Sequence, residues 1–224
     1  MIFFHILRSL DELLYELMTW LFFYPVTLWR AVRHPLRTME FATSELRKEH
    51  GEQFRETLRP PIFLLVTLCI AHAVEIAAVG DSNLVNSHAG LADLINDDTT
   101  LIVFRIIAFA LFPVAMATIE TRLMREPVDR TTLQQPFYAQ CFLAGPFALA
   151  LSLASTGIRI SNSWIEIDGL VLVAAASGFY IWTEAVWLQR STRRGWALAV
   201  AGSVGGFIIC MLILAAIART LGGS

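Results

Sequence analysis

A polytopic all-α membrane bundle is the fold class this sequence predicts, and three observations predict it. The 224 residues are 56% hydrophobic and only 16% charged, against about 45–50% apolar and about 25% charged in a soluble domain. Five apolar runs, 61–80, 100–119, 136–156, 169–189 and 195–220, each reach the roughly 20 residues that carry a helix across a hydrocarbon core about 30 Å thick. Lys and Arg fall in clusters on alternate sides of those runs. Lipid offers no partner to an unpaired backbone N–H or C=O, so helices are the form such runs take.

Residues 1–34 read as an interfacial helix. Ile2, Phe3, Ile6, Leu7, Leu10, Leu13, Leu14, Leu17, Met18 and Leu21 recur at helical spacing, while His5, Arg8, Asp11, Glu12 and Glu16 occupy the opposite arc. The apolar stripe belongs among acyl chains, with Leu10 and Leu14 at its centre. An aromatic stretch from Trp20 to Trp29 suits the headgroup boundary, and Pro25 is expected to kink or end the helix. A sixth span over 13–29 is the rival reading, disfavoured because Glu16 near a helix centre costs roughly 2.5–3.5 kcal/mol. A secretory signal is not expected, since the start is not basic and no small-residue cleavage site follows.

Residues 35–60 are charged and helix-like, a helical elbow with Thr43 or Ser44 as N-caps and Gly51 as a break. Glu45 with Glu49, and Arg55 with Arg59, repeat like charges at i,i+4, which predicts a solvated face or partner surface. Pro60 and Pro61 then open the five-helix bundle of residues 61–224, where a missing N–H costs nothing in the first turn.

Orientation follows from the basic residues, which are retained on the cytoplasmic side. Arg30, Arg33, Arg37, Arg47, Lys48, Arg55 and Arg59 precede the first span, and Arg122, Arg125 and Arg130 follow the second. Arg190, Arg193 and Arg194 precede the fifth, whereas loop 81–99 has Asp81, Asp93, Asp97 and Asp98 and no Lys or Arg. This places the N-terminus in the cytoplasm and the C-terminus outside. His88 and the aspartates of loop 81–99 lack the oxygen-ligand spacing of a calcium loop.

Ionisable groups inside a span are expensive and therefore candidates for function. His72 and Glu75 share a face of span one, and Arg105 in span two lies at the depth of Glu75 if the two helices are antiparallel neighbours. Glu75 and Arg105 can pair, either as a proton- or ion-coupled centre with His72 or as a static clasp. Glu184, flanked by Tyr180, Trp182 and Trp187, reads as an interfacial anchor answered by Arg190, Arg193 or Arg194. Glu120 ends span two and receives no role. Pro113 and Pro146 fall mid-span, and Gln140, Tyr138, Gly145 and Ser152 beside Pro146 are the groups a broken helix would offer a solute. Glu184 and Gln140 make the second candidate polar site. Gly202 and Gly206, with Ala199 and Gly205, form a small-residue face for close packing, either on Ala174, Ser177 and Gly178 or in a homodimer.

No phosphate loop, zinc helix or nucleophile elbow occurs, so neither ordinary enzyme chemistry nor a cofactor is expected. The layout resembles the Yip family of membrane proteins, through a cytoplasmic N-terminal region, five close spans with an outside C-terminus, and the segment Gln135-Pro136-Phe137-Tyr138-Ala139-Gln140-Cys141 opening span three. The likeness runs from residue 60 to the end. It implies a multi-pass protein of the bacterial inner membrane with a periplasmic C-terminus, where relatives often carry the label permease. The Asp-Leu-Tyr-Gly-Pro signature of the Rab-interacting members does not occur, and no residue roles are carried over. Two functions are expected. In the first, residues 1–60 organise the membrane or bind a protein partner, with lipids as the other partner. In the second, a small solute or ion passes among spans one to three at His72, Glu75 and Arg105. The first is favoured, because five spans without internal repeats leave little room for alternating access unless the protein dimerises.

Overall fold

A computed structural model describes residues 2–49, 52–79, 98–158 and 163–222; side chains of 2–13, 16, 79, 98–104, 163, 218 and 220–222 are outside the description. The described residues form α1 (Ile2–Arg33), α2 (Pro35–Glu45), α3 (Pro60–Val79), α4 (Asp98–Met124), α5 (Arg130–Ile158), α6 (Ser163–Thr192) and α7 (Trp196–Gly222), with no strand among them. The chain is an all-α membrane helical bundle. Five helices, α3 to α7, are long and apolar enough to cross a membrane. Loop 81–99 falls outside the described residues up to Asp97, as do Gly51 and Arg159.

The apolar runs locate these helices, but several helices outrun them. Helix α4 continues to Met124, α5 starts six residues before Pro136, and α6 extends from Ser163 to Thr192. Polar residues are tolerated there because they project beyond the hydrocarbon. The end of α4 is closed by Arg125 at φ 63°, with Glu126 N–H donating to Thr121 O at 3.2 Å and Arg125 N–H to Arg122 O at 3.0 Å. That is the Schellman arrangement, with arginine where glycine is usual. Asp129 caps α5: its Oδ1 accepts the N–H groups of Thr131 at 2.8 Å and Thr132 at 2.9 Å. Those N–H groups, Thr132's first, hold its carboxyl below the usual aspartate range.

Helix α5 is the hub, touching α1, α2, α3, α4 and α6. It can do so because Ala139, Cys141, Ala144, Gly145 and Ala148 keep it thin, and all are buried. At Gly145 the Phe63 ring of α3 lies against the backbone, 2.4 Å from where a Cβ would stand. Farther along, Phe112 of α4, Phe147 of α5, Tyr180 of α6 and Phe207 of α7 form a quartet in which every pair of rings touches. Their centroids lie between 4.7 Å for Phe147–Tyr180 and 6.1 Å for Phe112–Phe207, separations at which aromatic pairs attract.

Gly202 and Gly206 are packing residues, but their neighbours differ from those expected. A Cβ on Gly206 would meet Ile119 and Met116 of α4 at 2.6 and 2.9 Å, and one on Gly202 would meet Ile119 and Leu188. The face is therefore used within the chain, against α4 and Leu188 of α6, and the nearest atoms are not those of Ala174, Ser177 or Gly178. Gly205 has nothing near it.

Pro25 does not end α1, which runs to Arg33. The turns beyond it are held from outside, since Tyr24, Thr27 and Ala31 are buried and Tyr24 packs on Phe63 with centroids 5.6 Å apart. The opposite face is open: Leu14, Met18, Leu21, Phe22 and Trp29 are exposed, Trp29 by 68%. Trp20 instead packs partly against the core. Leu10 lies in α1, its side chain outside the description.

The elbow also departs from expectation. Thr43 and Ser44 are in the last turn of α2, donating back to Met39 O and Phe41 O, so neither starts a helix. The start is set by His34 and Pro35. Glu45 is 3% exposed rather than solvated. It accepts Phe54 N–H at 2.7 Å and pairs with Lys48 at 2.5 Å, which stabilises the left-handed turn at Phe54, φ 55°, and seats that ring between Phe41 and Tyr138.

The close approach at Gly145 yields a direct expectation. Gly145→Ala should destabilise the protein by about 1–3 kcal/mol through overpacking, and adding Phe63→Leu should recover much of the loss. Thermal unfolding in detergent checks this, and an additive double variant would show that the two sites are independent.

Candidate functional site

Two polar clusters interrupt the apolar interior, at opposite ends of the bundle. Near the C-terminal end of α3, Arg105 Nη2 of α4 contacts Glu75 Oε2, with side-chain exposures of 18% and 4%. The depth match that sequence spacing suggested is thus present in the fold. His72, one turn earlier on α3, is also buried. A guanidinium held on a carboxylate between two helices neutralises both charges, which ties α3 to α4.

The second cluster lies toward the elbow. Glu184 is fully buried and its Oε1 accepts Gln140 Nε2 of α5 at 2.8 Å, so the two residues of the second candidate site do meet. The expected arginine partners do not come. Arg190 Nη1 faces Glu40 of α2 at 3.6 Å, and Arg194 Nε donates to Leu123 O at 3.0 Å. Arg190, in the last turn of α6, points to Glu40 instead, and Arg193 has left the helix at φ 53°.

Glu120 joins this cluster, although its position at the end of an apolar run gave no sign of it. Because α4 continues past it, its side chain turns inward, 2% exposed, and Oε2 accepts the Trp187 indole N–H at 2.8 Å. The Gln140 amide and the Ser191 hydroxyl stand beside the same carboxylate, and Glu120 and Glu184 are near enough for their charges to interact. Neither carboxylate has a cationic side chain within ion-pair range among the described residues. A carboxylate out of water and without a counter-charge is stable only with a proton or a cation. Gln140 Oε1, Glu184 Oε2, Ser191 Oγ and Tyr180 Oη, all buried here, retain hydrogen-bonding capacity within the chain, as groups that receive water, a proton or a ligand do.

The cluster is reached from one end. A cavity of about 480 Å³ is bounded by α2, α4, α5 and α6, with Glu40, Arg47, Glu126, Gln135, Glu120 and Trp187 in its wall. Its wall holds three carboxylates and one guanidinium, and with Arg190 paired to Glu40 the balance is acidic by one charge. Glu120 and Trp187 belong both to the cavity and to the buried cluster; beyond them come Gln140, Glu184 and, one turn on, Tyr180 in the aromatic quartet. Pro113 and Pro146 leave α4 and α5 continuous, so no unwound backbone contributes. Among the described residues no His, Cys, Asp and Glu group has the makings of a metal site.

The clasp and the acidic cluster should respond differently to neutralisation. Removing one partner of the clasp, Glu75→Ala or Arg105→Ala, is expected to cost about 3 kcal/mol, and replacing both with leucine to cost much less; thermal unfolding of single and double variants tests this. A double-variant loss equal to the sum of the two single losses would show that the pair is not coupled. Compared with known proteins, the chain matches no family model, no curated protein and no solved structure.

Proposed function

We propose that the protein is permease-like and takes a small cation, an alkali ion or a protonated amine, from the cavity onto Glu120 and Glu184. The observation that carries this reading is the pair of buried carboxylates, joined by Gln140, that lack a cationic partner among the described residues yet stand behind an acidic cavity. Trp187 orients Glu120 by its indole N–H and adds a ring face of the kind that attracts cations. The aromatic quartet packs around Tyr180, one turn from Glu184 on α6 and on the side away from the cavity. The solute-handling centre is thus shifted from His72, Glu75 and Arg105 to the other end of the bundle, with the clasp as a structural support.

The arginine clusters support a cavity facing the cytoplasm and a C-terminus on the outer side, which in our reading is the periplasmic side of a bacterial inner membrane. The resemblance in layout to Yip-type proteins, with their permease-labelled relatives, agrees with this. In liposomes holding the purified protein, gradients of sodium, potassium or methylammonium should dissipate faster than in empty liposomes. Glu120→Gln should slow this by roughly tenfold or more, with Glu166→Gln, on the exposed start of α6, as the unaffected control. Wild-type liposomes no leakier than empty ones for all three cations would sink the proposal.

A second reading rests on α1. Its exposed stripe of Leu14, Met18, Leu21, Phe22 and Trp29 is suited to lying in the interface and organising lipid or a protein partner. Native mass spectrometry of protein released gently from its membrane should then show a stoichiometric protein companion that Leu14→Glu with Leu21→Glu removes. A companion retained by the double variant would count against α1 as its docking face.

A further inference from the structure

A separate basic pocket lies at the joint between α1 and α2. Its volume is about 240 Å³ and its wall includes Arg30, His34, Arg37, Thr27, Thr38 and Thr57, with no carboxylate. The joint falls at His34, which precedes Pro35 and adopts the non-helical φ −137°, ψ 59°; proline disfavours the helical region for the residue before it. The break turns the end of one helix against the start of the next, so Arg30 and Arg37 come from different helices to one pocket. Neither arginine, nor His34, pairs with a carboxylate among the described residues.

The three threonines divide their hydroxyls unequally. Thr38 Oγ1 donates to the carbonyls of Arg30 and His34, both at 3.0 Å, which satisfies the acceptors that would repel an anion. Thr27 Oγ1 donates to Phe23 O at 2.7 Å and accepts Leu58 N–H at 3.4 Å, fixing the end of the elbow beside α1. Thr57, next to Leu58 and 5% exposed, has a buried hydroxyl with no hydrogen-bond partner. Two guanidinium groups, an imidazole, a spare hydroxyl and the start of α2, whose dipole favours negative charge, make a wall that matches an oxyanion with several acceptor oxygens.

We propose that this pocket binds a phosphate group, and that the phosphate is that of an anionic phospholipid headgroup. Lipid is the favoured source because Val26, Trp29 and Val32 on the same stretch of α1 are exposed, an apolar and aromatic surface of the kind found at headgroup level. Basic pockets between helices on the cytoplasmic side are where such headgroups dock. This proposal does not depend on cation movement through the acidic cavity, from which it differs in sign and location.

The test is native mass spectrometry of the full chain in detergent doped with phosphatidylglycerol or phosphatidylcholine. Wild type should retain phosphatidylglycerol in preference, and Arg30→Gln with Arg37→Gln should lower that retention by roughly tenfold. Thr57→Val should lower it by a few fold while Thr57→Ser preserves it, and Arg125→Gln, at the end of α4, should leave it unchanged. Inorganic phosphate is the second probe: binding to wild type that displaces the lipid and is lost in the arginine variant would keep the phosphate site but assign it to the free ion. Unchanged lipid retention in the arginine variant, with circular dichroism matching wild type, would overturn the proposal. So would an equal loss from Arg125→Gln, which would mark diffuse attraction to basic charge. If the double variant fails to fold, the contrast between Thr57→Val and Thr57→Ser decides, and identical retention in the two refutes the site.

Discussion

The bundle depends on one steric constraint: α5 must be thin enough to be approached from several sides. A helix in a membrane gains little from hydrophobic transfer against its neighbours, because lipid tails are as apolar as side chains, and close van der Waals packing has to supply the association. Alanines, Cys141 and Gly145 give α5 that profile, and Phe63 fills the one place where even a methyl group would not fit. From this arrangement comes the meeting of α2, α4, α5 and α6 that encloses the acidic cavity. The same reliance on small residues recurs where Gly202 and Gly206 seat α7 on Met116 and Ile119.

The polar interior is organised around this apolar frame and is asymmetric. At one end a guanidinium and a carboxylate neutralise one another across α3 and α4. At the other, Gln140 donates to Glu184 and Trp187 to Glu120, and Arg190 and Arg194 are engaged elsewhere. Satisfied pairs fix geometry, whereas unmatched charge in a dry setting creates affinity for whatever supplies the missing charge. The aromatic quartet separates the acidic cluster from the rest of the bundle.

Much of the architecture was legible in the sequence, because five apolar runs of sufficient length admit few alternatives in lipid. Helix ends were less so. The stop after α4 is built on Arg125 in a left-handed conformation rather than on glycine, and Asp129 starts α5 well ahead of the apolar residues. The Glu75 and Arg105 contact followed from counting residues inward from a shared loop. Glu184 and Gln140 were visible as one candidate polar site, but the arginines expected to answer Glu184 are engaged elsewhere. Glu120 was hidden by its place just past an apolar run, and the buried state of Glu45 by a charge pattern that resembles a solvated face. In each missed case the deciding contact spans two elements, which periodicity along one helix does not report.

The bond between Gln140 and Glu184 joins residues 44 positions apart, and this separation bears on how the chain is made. At a synthesis rate of about 5–20 residues per second, roughly 2–9 s pass between the making of Gln140 and that of Glu184. During that interval the Gln140 amide is already in a helix destined for lipid while its acceptor does not yet exist. Glu120, earlier still, waits for Trp187 across 67 positions. The acidic cluster is therefore among the last features of the bundle to assemble, complete only once α6 lies against α4 and α5.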